Sequence, residues 1–220
     1  MITAVVGEVL RLFLARFWRT LVIVLLLLAP LELVVALLDP DLSSFTHGWW
    51  AWVGLSAAVT LVAFPWVIGA VVHDVGRDDR AATAAYRRTA SRLPDLVISA
   101  VVTTIGIVLA TIALVIPGLL LVARWALIVP LIVLEGVPWR TALARSNELI
   151  RGKTWSVVGI FVVLTVIAAC LVAAPVLVGY FALENVIGAW LATLAIDTVL
   201  IAFYSFAPFV LYRRLTELEA

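Results

Sequence analysis

Glu32, Arg124 and Asp197 are ionisable side chains set inside runs that are otherwise apolar. On insertion scales a charge at the centre of a membrane span costs ~2.5–3.5 kcal/mol, so such residues turn inward and pair, hold a proton or bind a ligand. At ~1.5 Å of rise per residue, Glu32 lies ~9 Å below the end of its run and Arg124 ~9 Å past Pro117-Gly118. Asp197 lies ~17 Å into the last run, near its middle. Equal depth predicts a Glu32–Arg124 ion pair, with Asp197 protonated or hydrated. The trio is a candidate polar site for a headgroup or a proton, or else a clamp between helices.

A second group gathers at the end of the fourth run: Glu135, Arg145, Ser146, Arg151, Gly152 and Trp155. A carboxylate beside Arg140 or Arg145 predicts a charge-assisted contact that fixes the following helix. The arginines alone suit a phosphate. His73, Asp74, Asp78 and Asp79 form an acidic cluster whose spacing suits a helix N-cap better than a cation site. No G-x-S-x-G, H-E-x-x-H, P-loop or C-x-x-C pattern occurs. Without a nucleophile–base pair there is no basis for a catalytic centre, a metal or a cofactor.

The elements that carry these residues follow from composition. The 220-residue chain is 65% hydrophobic and 13% charged, with one cysteine, Cys170. A soluble domain is about half apolar and a quarter charged. Its mean hydropathy of +1.20 excludes a soluble enzyme, a disordered chain and a nucleic-acid binder. Six apolar runs reach the ~20 residues that a bilayer needs. They lie at 21–38, 49–72, a double-length stretch at 96–134, 157–178 and 186–209. The double stretch is divided at Pro117-Gly118, a strong turn signal.

The charges alternate with these runs. Fourteen of the 15 basic residues fall in the N-terminal segment, the second and fourth connections and the C-terminal segment; only Arg124 lies inside a run. The other connections hold none, only Asp39, Asp41, His47 and Glu184. By the positive-inside rule both termini are then cytoplasmic, as in a multi-pass protein of a bacterial inner membrane. Trp49, Trp50 and Trp52 mark the outer interface, and Trp18, Trp139 and Trp155 the inner one.

Each basic segment also has helical periodicity. Val5, Val9 and Phe13 form one stripe, Tyr86, Ala90 and Leu93 a second, and Ala142, Ser146, Leu149 and Ile150 a third. Helices of this kind lie in the interface with arginines toward lipid phosphates. The expected fold is an all-α integral membrane domain over 1–220. Six transmembrane helices form three hairpins, 20–72, 95–135 and 155–212. Interfacial elbow helices at 1–19, 76–93 and 137–152 precede them.

The opening "VGEVLRLFLARFWRTLVIV", the middle segment "VGRDDRAATAAYRR" with Leu93-Pro94, and Ile116-Pro117-Gly118 with Ala123-Arg124-Trp125 carry a resemblance. So does Glu135-Gly136, continuing through Ala142-Leu143, Arg145-Ser146, Leu149, Arg151-Gly152 and Trp155. These residues resemble a bacterial six-helix family, the membrane domain of glycerophosphoryl diester phosphodiesterases. In that family a second arginine is frequent where Ala144 stands here. The resemblance implies a membrane module that some relatives join to a soluble phosphodiesterase domain. That domain's histidine and carboxylate set has no counterpart here.

The resulting expectation is a non-catalytic module that binds membrane lipids or a partner membrane protein. Its anionic-headgroup contacts would lie on the cytoplasmic side. A small transporter or flippase-like protein with a polar site between helices is the alternative, and an intramembrane lipid enzyme is a third reading.

Overall fold

The computed structural model describes residues 2–37, 47–77, 82–182 and 186–217. Asp39, Asp41, Asp78, Asp79 and Glu184 lie outside them, and the side chains of His47 and Trp49 are likewise not described. The described residues are almost wholly helical. Helix α1 runs Ile2–Leu37. Helix α2, His47–Ala58, continues through a π-helical turn at Val59–Ala63 into α3, Phe64–Arg77. The short α4 is Ala82–Ala90, and α5 is Leu93–Ala113. Helix α6, Val115–Arg124, is followed by the one-turn α7, Ile128–Pro130, and a second π-helical turn, Leu131–Glu135. Helix α8 is Trp139–Ile150, α9 Thr154–Ala182 and α10 Val186–Thr216.

Among the described residues, six segments are long and apolar enough to cross a membrane: Ile2–Val35, Trp52–Arg77, Leu93–Ala113, Ile116–Glu135, Thr154–Ala173 and Trp190–Thr216. The last is 67% buried and is the hub of the bundle, packing on α1, α9 and α3; the third is 11% buried and lies at its rim. Ile105, Leu109, Ile112, Leu119 and Val166 are exposed, and Ile23, Leu28, Leu131, Ile160 and Phe206 are buried. Large apolar side chains on the outside suit lipid as the solvent, since helices satisfy their own backbone there. Trp18 and Trp155 stand exposed at the end where the arginines gather, and Trp50 at the opposite end. These two ends are called the basic end and the far end below.

Three local features differ from the sequence-based expectation. The helix expected over 1–19 is not a separate element, because α1 is unbroken through Arg19-Thr20. From Glu8 to Ala29 there is neither glycine nor proline, so nothing turns the chain. The break between α5 and α6 falls at Leu114, in an extended conformation, three residues before Pro117. Pro117 instead occupies the first turn of α6, where its missing N–H leaves no bond unmade. Gly118 packs on Thr111, which lets the two antiparallel helices close. Finally, the fourth span is interrupted at 125–127, next to Arg124. Each π-helical turn adjoins a proline, Pro65 or Pro130, whose missing N–H disturbs the regular ladder.

The short helices fold back along the spans. From α4, the Tyr86 hydroxyl donates to the Ile23 carbonyl of α1 at 2.7 Å, and the Trp66 indole of α3 donates to the Tyr86 carbonyl at 3.3 Å. Burial pushes the Tyr86 phenol above the ordinary tyrosine range. From α8, buried Ser146 donates to the Arg124 carbonyl at 2.6 Å and accepts from the Leu127 N–H at 3.3 Å. One hydroxyl thus satisfies the backbone that the interruption at 125–127 exposes. Asp95 of α5 accepts from the Trp139 N–H at 3.3 Å, which places a carboxylate at the N-terminus of α8. Gly136, at φ +72°, ends the second π-helical turn, and the Arg92 guanidinium lies where a side chain would go.

Candidate functional site: a basic cleft and two buried carboxyl positions

The basic end is held together by ion pairs between helices. Asp74 of α3 is 2% exposed, with Arg19 at 2.7 Å and Arg16 at 3.4 Å, both from α1. Three residues apart on a helix, the two arginines share one face and converge on a single carboxylate. Glu135 accepts from the Tyr212 hydroxyl at 2.9 Å and pairs with Arg145 at 2.9 Å. The expected contact to α8 is therefore made by Arg145, while Arg140 stacks on the Trp139 ring at 5.1 Å. Arg214 pairs with Glu8 at 2.8 Å and Arg77 reaches the Leu134 carbonyl at 3.4 Å.

The group Glu135, Arg145, Ser146, Arg151, Gly152 and Trp155 therefore divides by role. Glu135, Arg145 and Ser146 lock α8 to the fourth span. Arg151 and Gly152 open onto a cleft of about 330 Å³ shared with Arg124, Asn147, Glu148 and Thr154. Gly152, at φ +78°, lies two positions past Ile150, the last residue of α8, and lets the chain reverse into α9, and Lys153 N–H bonds the Ile150 carbonyl at 2.9 Å. Trp155 is 68% exposed on the outer side of α9.

Next along the same two helices is an apolar groove of about 340 Å³. Leu119, Val122 and Ala123 of α6 line one wall and Val158, Phe161, Val162, Thr165 and Val166 of α9 the other, with Tyr204 of α10. Arg124 follows Ala123 directly, and Thr154 is one turn before Val158. Two guanidinium groups, an amide and a hydroxyl thus line a cleft whose Arg124 and Thr154 lie within about a turn, along α6 and α9, of residues that line the apolar groove. This arrangement suits an amphiphile with an anionic head. Glu148 is the opposing charge in the cleft.

Glu32 and Asp197 come together, and Arg124 does not join them. Glu32 is 8% exposed, and neither carboxyl oxygen receives a hydrogen bond among the described residues. The carboxyl within hydrogen-bonding reach is Asp197. The expected Glu32–Arg124 pair fails because equal depth does not make helices neighbours. Helix α1 packs on α10, whereas α6 packs on α5 and α9. Because α1 and α10 are antiparallel and side chains lean toward their own helix N-terminus, Glu32 and Asp197 lean toward one another. Nearby, the Trp190 indole donates to the Ala29 carbonyl at 3.0 Å rather than to a carboxyl.

A family model for the membrane domain of glycerophosphoryl diester phosphodiesterase matches residues 89–214. The chain belongs to this family. No curated protein and no solved structure matches it. In this family member the matched stretch begins at the end of α4 and contains the cleft, the α8 lock and Asp197. Arg16, Arg19, Glu32 and Asp74 precede it. Sequence reasoning missed Tyr212, which looks like one more interfacial aromatic and meets Glu135 only across 77 positions of chain. It also missed Asn147 and Thr154, whose one available signal was their closeness to Arg151 and Gly152.

Proposed function

We propose that this membrane domain is a non-catalytic module that binds an anionic phospholipid between α6, α8 and α9. The observation that carries this reading is the closeness, along α6 and α9, of the Arg124–Arg151 cleft to the apolar groove. The head would lie against Arg124, Arg151, Asn147 and Thr154, and an acyl chain would run along Leu119, Val122, Val158 and Val162. The basic end faces the cytoplasm in this reading, which the clustering of arginines supports through the positive-inside rule. Exposed Arg87 on α4 adds attraction to the same leaflet, at ~1 kcal/mol for each basic residue near an anionic surface.

Native mass spectrometry of the full chain, exchanged into mixed phosphatidylglycerol and phosphatidylcholine, tests this. We expect preferential retention of phosphatidylglycerol, and an Arg124→Gln/Arg151→Gln variant that loses the preference while remaining folded. Equal retention of both lipids by the unaltered protein would overturn the reading. The alternative, a small transporter, takes its support from the Glu32–Asp197 pair, on a different pair of helices from the cleft. Flux of labelled lipid or solute into liposomes would favour it.

A further inference from the structure

The Glu32–Asp197 pair is a built position rather than a chance cluster. Glu32 is more than nine-tenths buried, both its oxygens lack a donor, and it faces a second carboxyl on the neighbouring helix. Two carboxyl groups within hydrogen-bonding reach have acceptors only, unless one carries a proton and its O–H donates to the other. Among the described residues, the elements packed on the pair carry cations only toward the basic end: α3, which contacts both helices, has His73 and Arg77 in its last two turns. By sequence α9 contains no Asp, Glu, Lys or Arg, and over 47–63 the sole titratable residue is His47. On α1 the nearest ionisable neighbour of Glu32 is Arg19, thirteen positions away and paired with Asp74. On α10 the nearest to Asp197 is Tyr204, with Arg213 and Arg214 at the basic end. A hard metal ion would want six or more oxygen ligands, against the four that two carboxyls offer.

We propose that Glu32 and Asp197 form a proton-binding site within the membrane, one proton held between the two carboxyls and joining α1 to α10. The ligand is the proton itself, and loading or unloading it changes the contact between the hub helix and the N-terminal helix. The site goes beyond lipid binding and does not depend on it.

Infrared difference spectroscopy of the full chain in liposomes at neutral pH tests the proposal. We expect a protonated-carboxyl C=O band that is absent from both Glu32→Gln and Asp197→Asn. A lipid-soluble carbodiimide, which reacts with protonated carboxyls, should label one of the two residues, more slowly as pH rises. Peptide mass mapping locates the adduct, so the result stands even if one variant fails to fold. Absence of both band and adduct at neutral pH in the folded protein would overturn the proposal. So would a band that sodium or calcium abolishes at constant pH, because the site would then hold a metal cation.

Discussion

Asp74 and Glu32 are both buried carboxyls, at 2% and 8% exposure, and both lie against α1 or on it. Asp74 has two arginines at 2.7 and 3.4 Å. Glu32 has another carboxyl. The difference follows position along the bundle. At the basic end, arginine heads reach polar surroundings while their stems lie along the helices. Farther along α1, among the described residues, Glu32 meets no such cation and has another acid beside it. One protein therefore handles buried negative charge in two ways, with fixed countercharge at the basic end and an acid pair deeper in.

The largest test of this contrast is Asp74→Asn. It removes the buried carboxylate that two guanidinium groups share, and we expect a loss of about 2–4 kcal/mol in detergent unfolding. That lies below the full cost of an orphaned buried charge because Arg16 and Arg19 are partly exposed. A loss under ~0.5 kcal/mol would place Asp74 among the surface pairs. Arg19→Gln should cost about 1–2 kcal/mol, since Arg16 stays on the carboxylate. A loss equal to that of Asp74→Asn would show Arg19 carrying the whole interaction.

Tyr86→Phe asks whether the basic end is held by charge alone. Removing the bond to the Ile23 carbonyl should cost about 1 kcal/mol near neutral pH. The phenol's raised pKa in the fold means that its contribution is complete below the unfolded tyrosine value of about 10 and declines as pH rises beyond it. A melting series above that pH should therefore fall less steeply for Tyr86→Phe than for the unaltered protein. Parallel curves would show that Tyr86 is not the titrating group. The smallest effect belongs to Glu32→Gln, because the amide N–H₂ can donate to Asp197 in place of a carboxyl O–H. We expect less than about 1 kcal/mol. A loss as large as that of Asp74→Asn would mean an ionic partner for Glu32 and would end the contrast.

The six spans and the segregation of arginines were legible because both are properties of local composition. Hydropathy needs only a window of sequence, and the Leu, Val and Ile runs leave no other solvent than lipid. The fold-back of α4 and α8 was not legible. Nothing local announces that Tyr86 will reach Ile23, or that Ser146 will bridge an interruption at 125–127. Depth arithmetic located Glu32 and Arg124 but not the identity of their neighbours. The α8 sequence narrowed the partner of Glu135 to Arg140 or Arg145, and the fold selects Arg145.

The uninterrupted α1 has one more consequence. Its 36 residues measure ~54 Å, against a hydrocarbon layer of ~30 Å. Even at the ~40° upper end of observed tilts its vertical reach is ~41 Å, so at least ~10 Å stands clear of the oil. The domain is therefore not flush with the hydrocarbon layer. The surplus turns of α1 stand at headgroup level, since a bilayer with its polar regions is ~40–45 Å thick.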